Sequence, residues 1–304
     1  MRAMDSDLGT RERYEELRRL GVEHATNGRL DEAAALLRQA LEVASEIADP
    51  DLRDRGFCNL STVLVSLGEG VEVIGGLREI LLRSSDPANC RLSAYNIARI
   101  YEQRKEAKKG LFYAKIARER GSHVKPEDSE WVASDHNQMG NFLVAESYFE
   151  EAIREYEAAL AADPGMLPSR RAAICGNLGY CFLMTGELHK GFALKFESLR
   201  EFRYHRSENL VIVHLDLAFG YLEVGRPRHA ERHARKALET AESLGLETEV
   251  KNAMYLLGEA LHHLGDETRA RRQFEQLQSR FEGAPFLADF LLAVDVRRMI
   301  NLRA

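Results

Sequence analysis

Long apolar runs are missing from this sequence. No stretch approaches the roughly 20 apolar residues that a membrane span needs. The opening Met1-Arg2-Ala3-Met4-Asp5-Ser6-Asp7 is polar and no apolar segment follows it, which argues against a secretory signal and makes the cytoplasm the expected location. Proline is scarce, seven in 304 residues, and most of it sits in short polar stretches. Alternating Val/Ile/Thr runs do not stand out, so strands are not expected. Cysteine is limited to Cys58, Cys90, Cys175 and Cys181, with no C-x-x-C pair and no His cluster at zinc-ligand spacing. They read as small buried thiols in a reducing compartment, and neither a metal nor a cofactor is expected. Charge has no dominant sign: 42 Lys and Arg against 48 Asp and Glu give −6, with both signs mixed along the chain. That pattern describes solvated helix faces rather than a nucleic-acid footprint.

Signatures of catalysis are equally absent. There is no G-x-S-x-G, no Gly-rich phosphate loop and no H-E-x-x-H. His262 and His263 are adjacent, so on a helix they point about 100° apart and share one metal poorly. Glu150-Glu151 reads as an exposed helix start. Trp131 is the only tryptophan and reads as a packing residue. The chain is therefore expected not to be an enzyme.

What remains is helix-forming. The chain is 45% hydrophobic and 30% charged, and its long segments are rich in Ala, Leu, Glu and Arg. A pattern recurs along it: a large apolar anchor, a small residue, an aromatic or Leu three positions on, often a Gly four later, then another small residue. It runs as Leu20-Gly21, His24, Gly28, Ala33; as Leu60-Ser61, Leu64, Gly68; and as Ile97-Ala98, Tyr101. It continues as Met139-Gly140, Leu143, Ala152, Tyr156, Ala159; then Leu178-Gly179, Phe182, Gly186. The last copies are Leu217-Ala218, Tyr221, Gly225, Ala230 and Leu257-Gly258, Leu261, Gly265, Ala270, Phe274. Successive anchors are 40, 37, 42, 39, 39 and 40 residues apart.

Each position has a physical reason. The small residue after the anchor lets two helices of a hairpin, A and B, approach closely. The aromatic or Leu fills the space between them. The Gly takes a positive φ or a C-cap position that ends helix A. The next small residue sits where helix B crosses helix A. Acidic residues such as Asp31-Glu32 and Asp266-Glu267 suit the positive end of a B-helix dipole. In the second copy Val73 and Gly75-Gly76 fall inside helix B, and in the fifth Gly191 and Lys195 take core positions, so those two B helices are expected to be irregular or shifted.

These residues resemble the tetratricopeptide repeat (TPR) family over roughly residues 10–282. The fourth copy, with Met139-Gly140, Ala152, Tyr156, Ala159 and Pro164, matches the family's offsets best. The period is near 40 rather than about 34, which resembles the long-repeat branch: kinesin light chains, spindle-orientation scaffolds and Rap-type peptide receptors. The resemblance implies an all-α, right-handed superhelical solenoid of about seven helix hairpins, over residues 12–48, 52–85, 89–121, 130–163, 169–203, 208–244 and 248–282. Polar breaks at 84–90, 121–130, 163–169 and 203–208 read as turns between hairpins. The longest, 121–130, is the one candidate hinge in what is expected to be a single array over 1–304. A capping helix is expected over 285–302, opened by Pro285. Its Phe286, Phe290 and Leu291 belong to an apolar surface that either packs on the last hairpin or forms a docking or self-association face.

The family also implies where binding would sit. The A-helix position just before each anchor faces the concave groove, and here it reads Arg19, Asn59, Asn96, Gln138, Asn177, Asp216 and Leu256. Asn is a poor helix-interior residue, and a carboxamide can donate to a peptide C=O while accepting from a peptide N–H. Asn59, Asn96, Gln138 and Asn177 are therefore candidates for clasping an extended backbone. The other reading is that each bonds a neighbouring helix and holds the twist. Nearby A-helix positions add Tyr95, Arg99, Asn137, Asn141, Tyr180 and Tyr255, with Arg99 either gripping a ligand carboxylate or pairing within its helix at Glu102 or Gln103. A matching cluster of Lys, needed to capture a C-terminal carboxylate in chaperone-docking repeats, is not present.

The expected partner is another protein or an extended peptide, with no nucleic acid and no membrane insertion. One reading is a non-catalytic scaffold. The alternative is a peptide-responsive sensor whose pitch changes on binding, to sequester or release an effector. The first repeat begins by about Tyr14, which leaves no room for an N-terminal effector bundle and favours the scaffold.

Overall fold

The structure is a computed structural model that describes residues 2–126, 128–203 and 208–303. Among the described residues it contains fifteen α-helices, one 3-10 helix and no strand. No helix among them is long and apolar enough to cross a membrane. The residues group into two compact units, one running to Phe142 and one beginning at Leu143.

The first unit is built from helix pairs that pack as hairpins: α1 (Arg2–Thr26) with α2 (Leu30–Glu46), α3 (Pro50–Ser66) with α4 (Gly70–Arg83), and α5 (Pro87–Gln103) with α6 (Ala107–Gly121). Most of α7 (Ser129–Ala145) closes it. Helix starts are chemically marked. Asp49 accepts from the amides of Asp51 and Leu52 with Pro50 in the first turn, and Asp86 caps Pro87–Gln103 in the same way through Ala88. These caps satisfy amides that a helix leaves without intrahelical partners. The core between the pairs includes Leu37, Leu60, Val63, Leu77, Ile97 and Ile100, all buried.

The second unit contains the end of α7, α8 (Phe149–Ala162), three further hairpins, and a short terminal helix. The hairpins are α9 (Pro168–Met184) with α10 (Leu188–Phe202), α11 (Glu208–Glu223) with α12 (Pro227–Leu244), and α13 (Glu247–His263) with α14 (Glu267–Gln278). Ala172, Phe202, Val213 and Leu217 form one of its buried clusters.

The repeat motif acts as the sequence predicts. At Gly258, after the anchor, a Cβ would lie 2.3 Å from the Phe274 ring of the paired helix, so only glycine permits this approach. Every A helix ends on a residue with positive φ: glycine at 28, 68, 186, 225 and 265, but Lys105 (56°) and Ser147 (64°) in the two copies that lack the Gly. The following amide bonds back to the carbonyl of the motif's aromatic-or-Leu position, as in Glu69 N–H to Leu64 O at 2.8 Å and Arg226 N–H to Tyr221 O at 2.8 Å. This is the Schellman closure of a helix end.

Two expectations are corrected. Helices α4 and α10 are regular rather than shifted. Their glycines are close-approach points: a Cβ on Gly76 would meet the Phe57 ring at 2.6 Å, and one on Gly191 would meet Leu183 at 2.7 Å. The terminal helix does not span 285–302. It is α15, Leu287–Ala293, after which Val294 is extended and a 3-10 turn covers Arg297–Met299. Val294-Asp295-Val296-Arg297 alternates apolar and charged residues, the period of an extended chain rather than a helix. Within α15, Leu291 is buried, whereas Phe286 and Phe290 are 75% and 49% exposed.

Candidate functional site

The polar A-helix positions behave differently in the two units. In the first, they reach back to the preceding A helix. Asn96 is fully buried, and its amide donates to Cys58 O at 3.1 Å and Thr62 Oγ1 at 2.9 Å on α3. Arg99 donates to Thr62 O at 3.2 Å and Ser66 Oγ at 2.9 Å, at the C-terminal end of α3. Gln103 donates to Val65 O at 2.6 Å, and Gln138 to Tyr95 O at 3.2 Å. Asn141 donates to Glu102 Oε1 at 2.9 Å. These groups staple α5 to α3 and α7 to α5, so Asn96, Arg99 and Gln138 spend donors on neighbouring helices rather than presenting them in a groove. Asn59 and Asn137 are half-buried, and Nδ2 of Asn59 and Oδ1 of Asn137 are shielded without a hydrogen-bond partner. Below this row, Arg91 is 2% exposed, bonded to Asp135 at 2.6 and 3.3 Å and flanked by the rings of Tyr95 and Trp131 at 4.8 and 4.6 Å. Burial raises the Asp135 carboxyl above its ordinary range despite the pull of Arg91.

In the second unit the same kind of position holds an irregular stretch of the chain itself, in which Val294 and Ile300 are extended, Arg297–Met299 form the 3-10 turn, and Leu302 and Arg303 lie in a further turn. The segment after α15 meets side chains from three A helices, α9, α11 and α13, and the end of α7. Asn301 donates to Val144 O at 2.7 Å and to Ser147 Oγ at 3.1 Å, at and just beyond the end of α7. The Tyr180 hydroxyl on α9 accepts from Leu302 N–H at 3.0 Å and donates to Asn301 Oδ1 at 3.0 Å. Asn252 on α13 donates to Leu302 O at 3.2 Å. Leu302 thus has both its backbone N–H and its C=O held by side chains of different helices. Arg303 pairs with Asp216 on α11, its guanidinium 4.9 Å from the Tyr180 ring centre. Arg297 lies 3.6 Å from Glu223 on α11 and 3.7 Å from Glu259 on α13.

The acids that receive these arginines are deeply placed. Asp216 is fully buried and also pairs with fully buried Lys195 of α10. This explains the Lys at a core position, and burial lowers its amine to about 8 against the pull of Asp216. Burial lifts Glu259 to about 7 in spite of Arg297. Asp295 is held down at about 2, chiefly by its hydrogen bond to Arg297. Tyr180 and Tyr255 are both buried, and burial pushes both phenols up. The Tyr255 hydroxyl has no hydrogen-bond partner. Asn177, also on α9, is half-buried.

Of the candidate residues, Tyr180 directly touches the segment after α15. Asp216 does so as well, and Asn252 performs the clasping expected of the Asn ladder from one turn earlier on its helix. Asn252, Glu223, Glu259, Arg297, Asn301 and Arg303 were not singled out by sequence. The available signal was the apolar–Arg dyad that occurs twice after α15, Val296-Arg297 and Leu302-Arg303.

Family models described as tetratricopeptide repeat match residues 17–51 and 215–285, within the first hairpin and across the last two. Tetratricopeptide repeats are therefore present in both units. No sequence among curated proteins matches this TPR protein. Its fold is similar to that of a Rap protein complexed with competence and sporulation factor, with a TM-score of 0.71 and 13% identity, covering 96% of this chain and 79% of that one. NprR in complex with its cognate peptide NprX gives a TM-score of 0.71 at 11% identity, covering 94% of this chain and 82% of that one. A signal-transduction ATPase with a TPR sensor from Pyrococcus horikoshii gives 0.66 at 17% identity, covering 95% of this chain and 46% of that one. At these identities the likeness is one of fold.

Proposed function

We propose that this TPR protein is a non-catalytic scaffold that binds an extended peptide, or an extended segment of a partner protein, on the A-helix face of its second unit. The observation that carries this reading is the treatment of Leu302: Tyr180 and Asn252, from two different A helices, hold its N–H and C=O. Side chains that bond a backbone at both its donor and acceptor recognise a chain with little regard to the side chain at that position. Two of the solved relatives of similar fold are described with a peptide or signalling factor bound, which agrees with this use of the fold. A sensor mode, in which binding changes the pitch of the array, is the alternative output of the same site.

The test is affinity capture from the native host with the intact chain and with a Tyr180→Phe/Asn252→Ala variant shown to be folded by circular dichroism. A partner held by the intact chain and lost from the variant supports the reading. A partner retained by both contradicts it and moves the contact to the exposed Phe290 of α15 and Phe286 just before it.

A further inference from the structure

Residues 294–303 pass across the face to which the preceding section assigns peptide binding, and they carry a repeated chemistry. Val296 and Leu302 are buried, 5% and 7% exposed. Each is followed by an arginine that meets buried or nearly buried carboxylates: Arg297 with Glu223 and Glu259, Arg303 with Asp216. Asn301 supplies a further anchor at the end of α7. An apolar side chain in a protein pocket followed by a guanidinium on an acid is the composition of a bound ligand, not of a solvated chain end.

We infer that this segment is an internal stand-in for the partner: the face recognises a peptide bearing aliphatic–Arg dyads, and the chain's own copy must leave before such a peptide binds. The inference rests on the peptide-binding reading above and adds to it the partner's chemistry and the manner of its control. Tethering explains the control. The segment begins directly after α15, so its effective concentration at the face is on the order of millimolar. A free peptide of the same chemistry at micromolar concentration loses to it unless the segment is loosened or the peptide makes additional contacts. The acids explain the preference for arginine. Asp216 receives Arg303 on Oδ2, the oxygen that also pairs with Lys195, so this buried acid holds two cations. Glu223 and Glu259 flank a single guanidinium, and a planar fork of donors can serve two carboxylates where an ammonium serves them less well.

The experiment uses the full chain and a fluorescein-labelled peptide of residues 294–303, with binding read by fluorescence polarisation. Three chains are compared: wild type, Arg303→Ala, and Arg297→Ala/Asn301→Ala/Arg303→Ala. The single variant leaves Asp216 paired with Lys195 and serves if the triple variant is not folded by circular dichroism. Loss of charge-assisted contacts from the internal segment is expected to let the peptide bind the variants at least about tenfold more tightly than wild type. A peptide with both arginines changed to Ala is expected to lose that binding. Equal affinity for wild type and variants overturns the stand-in role while leaving peptide binding on this face intact. Failure of a folded variant to bind, or equal binding of the arginine-free peptide, overturns the assigned dyad chemistry. Because the capture experiment with Tyr180→Phe/Asn252→Ala does not use this peptide, it decides the peptide-binding reading separately.

Discussion

The A helices of the two units solve one problem in two ways. A helix packed beside the next helix of its kind carries polar side chains that need partners. In the first unit those partners are main-chain carbonyls of the preceding A helix, as with Asn96 on Cys58 O, Arg99 on Thr62 O and Gln138 on Tyr95 O. In the second unit Tyr180, Asn252 and Asp216 find theirs in residues 301–303. The first arrangement draws its partners from consecutive helices alone, with Asn59 Nδ2, Asn137 Oδ1 and Gln138 Oε1 left without one. The second depends on a segment that is not part of any repeat, and a face completed by a removable segment can be completed by another molecule. The same repeat pattern therefore yields a structural spine in one unit and a receptive surface in the other.

If the first unit is a structural spine, its polar network should matter most to stability. Arg91→Ala leaves buried Asp135 without its bidentate partner and is expected to cost about 3–5 kcal/mol in denaturant unfolding. A cost near zero would mean the pair is dispensable. Asn96→Ala removes two buried hydrogen bonds, to Cys58 O and Thr62 Oγ1, and is expected to cost about 1–3 kcal/mol, without altering peptide affinity in the Arg303→Ala background. A change in affinity with unchanged stability would instead place Asn96 in a binding groove.

The second unit should be the more sensitive to pH, from both sides. His214 and His233, Nδ1 to Nδ1 at 2.9 Å beside Tyr221, are held neutral by burial, with values lowered to about 4 and about 3. The unfolded chain protonates them near 6.5, so their contribution is lost as pH falls from about 6.5 toward 4. Glu259 acts in the opposite sense. It keeps its proton to about 7 when folded but releases it near 4.5 when unfolded, so stability falls as pH rises through that window. Glu259→Gln is expected to flatten the loss between pH 5 and 8 in thermal melts; an unchanged slope would show that the carboxyl is not the source.

The smallest effect separates the two units at equivalent turns. Lys105 and Ser147 both carry a side chain at positive φ, where glycine relieves a cost of about 1 kcal/mol. Lys105→Gly should therefore stabilise by about that amount. Ser147→Gly should gain less, because the Ser147 hydroxyl accepts from Asn301. Equal gains would argue against a stabilising role for that contact.

The helix hairpins were legible because their period is carried by positions with strict physical demands: an αL turn, a glycine under Phe274, a cap before proline. The irregularity expected of α4 and α10 came from treating glycine and lysine as misfits. Gly76 beneath Phe57 and Lys195 opposite Asp216 fit only when the facing helix is known. The apolar content of 285–302 suggests one helix and hides the alternation that begins at Val294, where α15 has already ended. The ladder position identified Asn96 correctly as an unusual residue, but sequence does not say whether an amide faces the next helix or a ligand. Asn252 escaped notice because it lies one turn from that position.

Amide hydrogen exchange at Leu302 tests most directly whether the second unit's A-helix face holds the backbone that follows α15. This N–H, donated to the Tyr180 hydroxyl, is expected to be protected in the wild-type chain and to exchange much faster in Tyr180→Phe. Exchange in wild type at the rate of an unstructured peptide would contradict it.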